Sequence, residues 1–185
     1  MDRLLHGKLV RLAAADSEAD AEAMVSWSRD SEYLRLLDSD PALPESAKGW
    51  KASIIEWMEH ERPNNFGFMI RTLAGDRLIG FVGLSDIDWS NGDGIVGIGI
   101  GKREDWGKGY GTDAMRVLLR FAFAELNLHR VSLSVYAYNP PAIRSYEKAG
   151  FTVEGLMRQT VYRDGLRSDE VCMGILRQEW ERSEK

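Results

Sequence analysis

Trp106-Gly107-Lys108-Gly109-Tyr110-Gly111-Thr112 is the most informative stretch of this chain. It follows a strand-like run, Ile95 to Gly101, and leads straight into apolar positions at Ala114, Val117, Leu118, Phe121 and Ala122, which recur at helical spacing. Strand, glycine loop and helix in that order put backbone N–H groups, with no Cβ in the way, at the positive end of a helix dipole. A phosphate or pyrophosphate suits such a place; a tight strand-to-helix turn that binds nothing reads the same way. Two nucleotide motifs are excluded. Neither Lys102 nor Lys108 has the Walker A spacing, and a dinucleotide fingerprint needs glycine where Thr112 stands.

Downstream, Val131 to Tyr136 is a β-branched and aromatic strand. Asn139 then stands as a helix N-cap, Pro140 at the first helical position and Gly150 as the stop. Because Pro141 has no N–H, that cap reaches only the amide of Ala142. Tyr146, on this short helix, also reads as a half-buried packing residue with a wet hydroxyl. Phe151 to Leu156, Gln159 to Arg163 and Glu170 to Leu176 read as the last strands, the final pair turning at Asp164-Gly165. Upstream, the pattern predicts a strand over Leu4 to Leu12 and a helix capped by Asp16 that runs to about Arg29. An irregular connection over Tyr33 to Leu43 follows, then a helix from about Glu45 to Glu61 with Trp50, Ile54, Trp57 and Met58 at helical spacing. Phe66 to Leu73 and Leu78 to Asp88 read as strands joined at Ala74-Gly75-Asp76.

The 185 residues, 44% hydrophobic and 29% charged, suffice for one sizeable core and predict a single domain over 1–185. Lys plus Arg number 24 against 29 Asp plus Glu, a net charge of -5, which exerts no pull toward nucleic acid or anionic membrane and suits a cationic partner. Cys172 is the only cysteine, so neither a disulfide framework nor a clustered Cys metal site is expected, and a reducing, cytoplasmic setting is. No run has the length and apolarity of a signal peptide or a membrane span.

The glycine tract Trp106 to Ala114 and the segment Asn139 to Phe151, in this order and separation, resemble the GCN5-related N-acetyltransferase superfamily. Within it they are most similar to the branch of ribosomal-protein alanine and spermidine acetyltransferases. The resemblance runs from Leu9-Val10-Arg11-Leu12 to Glu170-Val171-Cys172-Met173-Gly174-Ile175-Leu176 and the trailing Glu179-Trp180. It implies an α/β (α+β) fold: a mixed, mostly antiparallel sheet of about seven strands with a splayed parallel pair, flanked by about four helices.

It also implies a chemistry, the transfer of an acetyl group from acetyl-CoA to a primary amine by direct attack on the thioester, with no metal. The glycine loop, Trp106, Gly107, Lys108, Gly109, Tyr110, Gly111 and Thr112, would hold the pyrophosphate. Trp106 replaces a common Gln or Arg, so a side-chain donor is lost there. Ile98 and Ile100 would offer main-chain groups to the pantetheine arm, and Asn139 would reach it too. Tyr146 would protonate the leaving thiolate. The usual glutamate of the central strand is missing, since Ile95 and Val96 stand just before Gly97; Asp86 and Asp88, which share a strand face, are alternative bases or merely solvated. His129 reads more readily as a surface or structural residue than as a base. Trp27, Tyr33, Asp38 and Asp40 fall where the acceptor pocket is usually shaped, although surface charge and core packing explain them equally. The acceptor is a small cationic amine, such as a polyamine or antibiotic, or a protein N-terminus. A homodimer using the C-terminal strands and Trp180 is expected. The alternative is a non-catalytic acyl-CoA-binding sensor, against which Tyr146 argues.

Overall fold

The computed structural model describes residues 4–42, 46–59 and 63–183; the side chains of Ser17, Trp50, Ser53 and residues 56–59 lie outside that description, as do Leu43, Glu45 and Glu61, where expected element boundaries fall. In chain order the elements are β1 (Val10–Ala13), α1 (Ser17–Trp27), α2 (Ser31–Leu37), α3 (Ala47–Glu59), β2 (Phe66–Thr72), β3 (Leu78–Asp88), β4 (Asp93–Ile100), α4 (Tyr110–Arg120), β5 (Arg130–Tyr136), α5 (Pro140–Ala149), β6 (Thr152–Arg163), β7 (Leu166–Leu176) and α6 (Arg177–Ser183). Among the described residues the seven strands form one sheet in the order β1-β2-β3-β4-β5-β7-β6. Every neighbouring pair is antiparallel except β4 and β5.

One face of the sheet carries the core. Val82, Leu84 and Val96 of the central strands and Val131, Leu133 and Val135 of β5 alternate inward and meet Ala114, Met115, Val117, Leu118 and Leu119 of α4, all buried. The opposite face of β4 presents Gly97 and Gly99, with Gly101 just past its end, where side chains from α1 and α2 come close. Trp27 lies so tightly on Gly101 that a Cβ there would sit 2.0 Å from the indole, and Tyr33 reaches to within 3.1 Å of a Cβ built on Gly99. Glycine at alternate positions is thus what lets α1 and α2 dock.

The structure departs from the sequence-based expectation at several elements: among the described residues six helices rather than about four accompany the sheet, and β7 begins at Leu166 rather than Glu170. β1 begins at Val10, not Leu4, because the carboxylate of Asp113 accepts the N–H groups of Lys8, Leu9 and Val10 at 3.1, 2.7 and 3.0 Å, while Leu5 folds back so that its carbonyl accepts the N–H of Leu12. The first helix stops at Trp27. The expected irregular stretch contains α2, capped by Asp30, whose side chain accepts the N–H of Glu32 and pairs with Arg103 at 2.5 and 2.6 Å. That pairing and the burial of Tyr33 hold a helix too short to persist alone. Finally, Phe151 to Leu156 and Gln159 to Arg163 are one strand, β6, interrupted by a bulge at Gln159 (φ 55), whose N–H is taken by Asp169 Oδ1 at 2.8 Å.

Candidate active site

β4 and β5 pair only over Asp93–Arg130, Gly94–Val131 and Ile95–Ser132. Beyond Ile95 the two strands separate, leaving one flank of β4 without a neighbouring strand. Gly101 N–H bonds Ile79 O of β3 at 2.9 Å; since main-chain groups alternate sides along a strand, those of Ile98 and Ile100 face the opened gap. The Ile100 carbonyl accepts the indole N–H of Trp106 at 2.8 Å. Of the main-chain groups expected to serve a pantetheine arm, that carbonyl is therefore already engaged, and the N–H groups of Ile98 and Ile100 and the carbonyl of Ile98 face the gap. The Trp106 donor, for its part, ties the loop to the strand end.

The glycine loop sits at the open end of this gap. Gly107 (φ 71) and Gly109 (φ 84) occupy the left-handed region, which disfavours any side chain. Gly109 is the N-cap of α4 and offers no side-chain cap, so the first amides of the helix, from Tyr110 to Thr112, point outward without an intrahelical partner. Lys108 is exposed beside them. The flanks are braced. Buried Asp105, just before the loop, takes a bidentate bond from Arg77, 2.7 Å in each arm, and the guanidinium holds its carboxyl below the usual range. Just after it, Asp113 clamps the three amides at the start of β1. A rigid frame around exposed amides is what an anion site needs.

Asn139 Oδ1 accepts Ala142 N–H at 3.2 Å, and Pro140 and Gly150 (φ 109) begin and end α5. Thr112 and Ser145 hydroxyls lie 2.7 Å apart, joining the first turn of α4 to α5. The next residue, Tyr146, is half-buried with its ring edge-on to Phe151 at 6.2 Å between centroids. Burial pushes its phenol up to about 12, so it stays protonated at every working pH. A Cβ built on Gly111 would lie 3.8 Å from Ile100 and from Ser145 and 4.0 Å from Ile98, so the glycine loop, β4 and the middle of α5 meet at the first turn of α4.

Other expected residues lie elsewhere or serve another purpose. Asp88 pairs with Asp93 at the closed end of the β4–β5 gap, about 20 Å of strand from Ile100. Its carboxylate is occupied by the N–H and side-chain amide of Asn91 and the N–H of Ser90, which hold its pKa below the usual carboxylate value. Asp86 is exposed at the adjoining bulge in a left-handed conformation (φ 52). Exposed His129 stands at the same end, its N–H on Gly92 O at 2.6 Å. The structure brings none of these three to Tyr146. Trp27 and Tyr33 are buried, 3% and 6% exposed, and touch edge-on at 6.4 Å; burial pushes the Tyr33 phenol far above its ordinary value. They back the glycine face of β4 rather than line an open pocket. Asp38 and Asp40 are exposed at the end of α2, and their main-chain carbonyls, not their carboxylates, accept Arg163 at 2.8 and 2.9 Å. Through Arg163 and the Arg35–Asp164 pair at 2.5 Å, the β6–β7 turn is fastened to α2.

On the face opposite the core, β5 presents Ser132, Ser134 and Tyr136, and β7 presents Glu170, Cys172 and Gly174 in register with them. Ser134 Oγ donates to Glu170 Oε1 at 2.5 Å. Tyr136 stacks on Tyr138 at 5.1 Å, and burial with the nearby charge of Asp38 pushes its phenol up to about 12. No local signal in the sequence joins Ser134 to a residue 36 positions away; only strand register does so.

Residues 10–152 match the acetyltransferase (GNAT) domain family model. The chain is 33% identical over 155 residues to the SPbeta prophage-derived uncharacterized N-acetyltransferase YokL of Bacillus subtilis, covering 83% of this chain and 84% of that protein. It is 32% identical over 171 residues to the putative ribosomal N-acetyltransferase YdaF of the same species, covering 92% and 91%. Its fold matches the crystal structure of spermidine N-acetyltransferase from Vibrio cholerae in complex with CoA and spermine with a TM-score of 0.80 at 23% identity, over 93% of this chain and 98% of that one.

Proposed function

Since the chain belongs to the GNAT acetyltransferase family and is an acetyl-CoA-dependent N-acetyltransferase, we propose that its acceptor is a primary amine, cationic when free, carried on a small molecule such as a polyamine or on a protein N-terminus. Support for this reading comes from the parting of β4 from β5 after Ile95–Ser132 and from the packing of Ser145, the neighbour of Tyr146, against Thr112 in the first turn of α4. In this reading the amides of Gly107 to Thr112 hold the pyrophosphate, with Lys108 adding charge. The N–H groups of Ile98 and Ile100 face the pantetheine arm, and a strand amide stabilises the oxyanion that attack creates. Asn139 orients α5, and the phenol of Tyr146 donates its proton to the thiolate as the C–S bond breaks. No metal is used in this scheme.

The amine approaches from the other face of the sheet, over Gly97, where a Cβ would meet nothing within 4 Å. Asp38, Asp40 and Glu170 give that side its negative charge, in keeping with an ammonium-bearing acceptor, and the related proteins are named as a spermidine N-acetyltransferase in Vibrio cholerae and a putative ribosomal N-acetyltransferase in Bacillus subtilis. The reading further includes a cytoplasmic setting, suited to the single unpaired Cys172, and a homodimer. The edge strand β6 supports the dimer, since it exposes Val153, Leu156, Met157 and Tyr162. Among the described residues no helix is long and apolar enough to cross a membrane.

Measurement of CoA release from acetyl-CoA with spermidine, an aminoglycoside, a free amino acid and peptides beginning with Ala, Ser or Met tests the proposal. Selective turnover of one amine is the expected result. Tight acetyl-CoA binding with no release above background from any of them would overturn the proposed acceptor class.

A further inference from the structure

The assigned residues leave one job unfilled, which is to take the proton that the acceptor nitrogen must lose. Ile95 and Val96 stand before Gly97, and Asp86, Asp88 and His129 lie at the closed end of the gap. We infer that Ser134 and Glu170 do this work as a hydroxyl–carboxylate pair on the acceptor side of β5, with Ser134 touching the nitrogen and Glu170 acting through it.

Three observations carry the inference, which rests on the proposed approach of the amine over Gly97. First, Ser134 Oγ donates to Glu170 Oε1 at 2.5 Å; with its one hydrogen committed to the carboxylate, the hydroxyl has only lone pairs to offer outward. Second, continuing the Ile95–Ser132 register by two residues sets Ser134 level with Gly97, just past the point where the strands part. Third, Ser134 is exposed and Glu170 half-exposed, so the pair is open to an incoming amine and to water. The groups around it are Tyr136 on β5, Cys172 two residues along β7, uncharged Met157 as the register partner of Glu170 on β6, and Asp38 near Tyr136 at the end of α2.

The proton count closes. The ammonium first releases one proton to water; the nitrogen lone pair so freed forms the N–C bond to the thioester carbon, and the attached nitrogen then carries a positive charge and becomes far more acidic than a free ammonium. Ser134 Oγ accepts that proton while passing its own to Glu170, and the N–H bonding pair stays on nitrogen. The C–S bond breaks and the thiolate takes the Tyr146 proton. Glu170 then loses one proton to water and Tyr146 regains one, which restores the starting state.

The test uses full-length Glu170→Gln, Glu170→Asp and Ser134→Ala, with spermidine and an Ala-initiated peptide as acceptors and kcat followed from pH 5.5 to 9.5. Removing a general base lowers kcat about 100-fold, so Glu170→Gln should show that loss at neutral pH with an unchanged KM for acetyl-CoA. The deficit should shrink as pH rises and hydroxide substitutes, Glu170→Asp should recover part of the rate, and Ser134→Ala should fall between. Two results would overturn the inference: Glu170→Gln and Ser134→Ala within threefold of the parent with a parallel pH profile, or an equal loss at every pH accompanied by a lowered melting temperature and a raised acetyl-CoA KM, which marks a structural role. Absence of turnover in the parent with both acceptors would instead remove the acceptor reading, and this inference with it.

Discussion

The two sides of the β4–β5 gap are built differently. On the core side, the glycine loop and α5 are local constructions: Gly107, Gly109 and the amides of α4 adjoin one another in sequence, and two buried carboxylates, Asp105 and Asp113, fix the loop at both flanks. On the other side, Gly97, Ser134, Glu170 and the end of α2 come from four elements, brought together by strand register, by Arg163 and the Arg35–Asp164 pair, and by the Tyr138 hydroxyl, which donates to Arg35 O at 2.9 Å. In the proposed reading the glycine-loop side, which would hold the cofactor, is braced at both flanks, whereas the side the acceptor would approach is assembled from distant parts. A frame that recognises one invariant cosubstrate benefits from preorganisation. A surface assembled from separate strands can change its acceptor by substitution without disturbing that frame.

The sharpest contrast concerns Tyr146. Tyr146→Phe should lower kcat by about 10²- to 10³-fold with acetyl-CoA affinity by calorimetry unchanged. Because its phenol is pushed up to about 12 by burial, the parent should show no alkaline loss attributable to Tyr146 between pH 7 and 10. An equal loss in acetyl-CoA affinity would place the ring in binding rather than proton transfer.

The bracing of the loop gives the next largest effect. Asp113→Ala strands the N–H groups of Lys8, Leu9 and Val10, the last of them buried, and should cost about 3 kcal/mol of unfolding free energy in a urea titration. The same variant should also weaken acetyl-CoA binding, because α4 loses its anchor to β1. On the acceptor side, Gly101→Ala should destabilise by about 1–3 kcal/mol by overpacking against the Trp27 indole, read as a lower melting temperature, while the acetyl-CoA KM stays within twofold.

Asp105 yields a smaller effect with a pH signature. Arg77 lowers its folded-state pKa below the unfolded value, so its contribution is fully present above the unfolded pKa, about 4, and is lost as pH falls through the folded one. The stability difference between the parent and Asp105→Asn, about 1.5 kcal/mol at neutral pH, should stay level from pH 8 to 5 and shrink below pH 4. A difference that persists undiminished in acid would assign the effect to packing.

The same contrast explains which parts of the molecule are legible in the sequence. β3 spans Leu78–Asp88 and α5 spans Pro140–Ala149 as the residues alone indicate, because alternation, the Asn139 cap and Gly150 are signals carried within the element. The glycine loop is equally legible. The helix Ser31–Leu37 is not, since its stability comes from Arg103, 73 positions away from Asp30, and from the fit of Tyr33 to Gly99. The start of β1 is hidden for a similar reason, because the carboxylate that sets it lies more than 100 residues away. Asp86 and Asp88 have the right residue type and share a face, but strand direction puts them at the wrong end of the gap. Ser134 and Glu170 are each unremarkable in sequence, and only the β5–β7 register joins them.

The division of the gap into a cofactor side and an acceptor side is tested most directly by paired kinetics on two glycines. Gly109 needs its left-handed conformation to aim the loop amides, whereas Gly97 has open space above it and tolerates a methyl group without strain. Gly109→Ala should raise the acetyl-CoA KM about tenfold, the equivalent of about 1.4 kcal/mol of strain or lost anion contact, and leave the amine KM alone. Gly97→Ala should do the reverse, raising the amine KM at an unchanged acetyl-CoA KM and melting temperature. If Gly97→Ala raised the acetyl-CoA KM, or if both variants moved both constants together, the two ligands would not approach from opposite faces of the sheet, and the division of the gap would be contradicted.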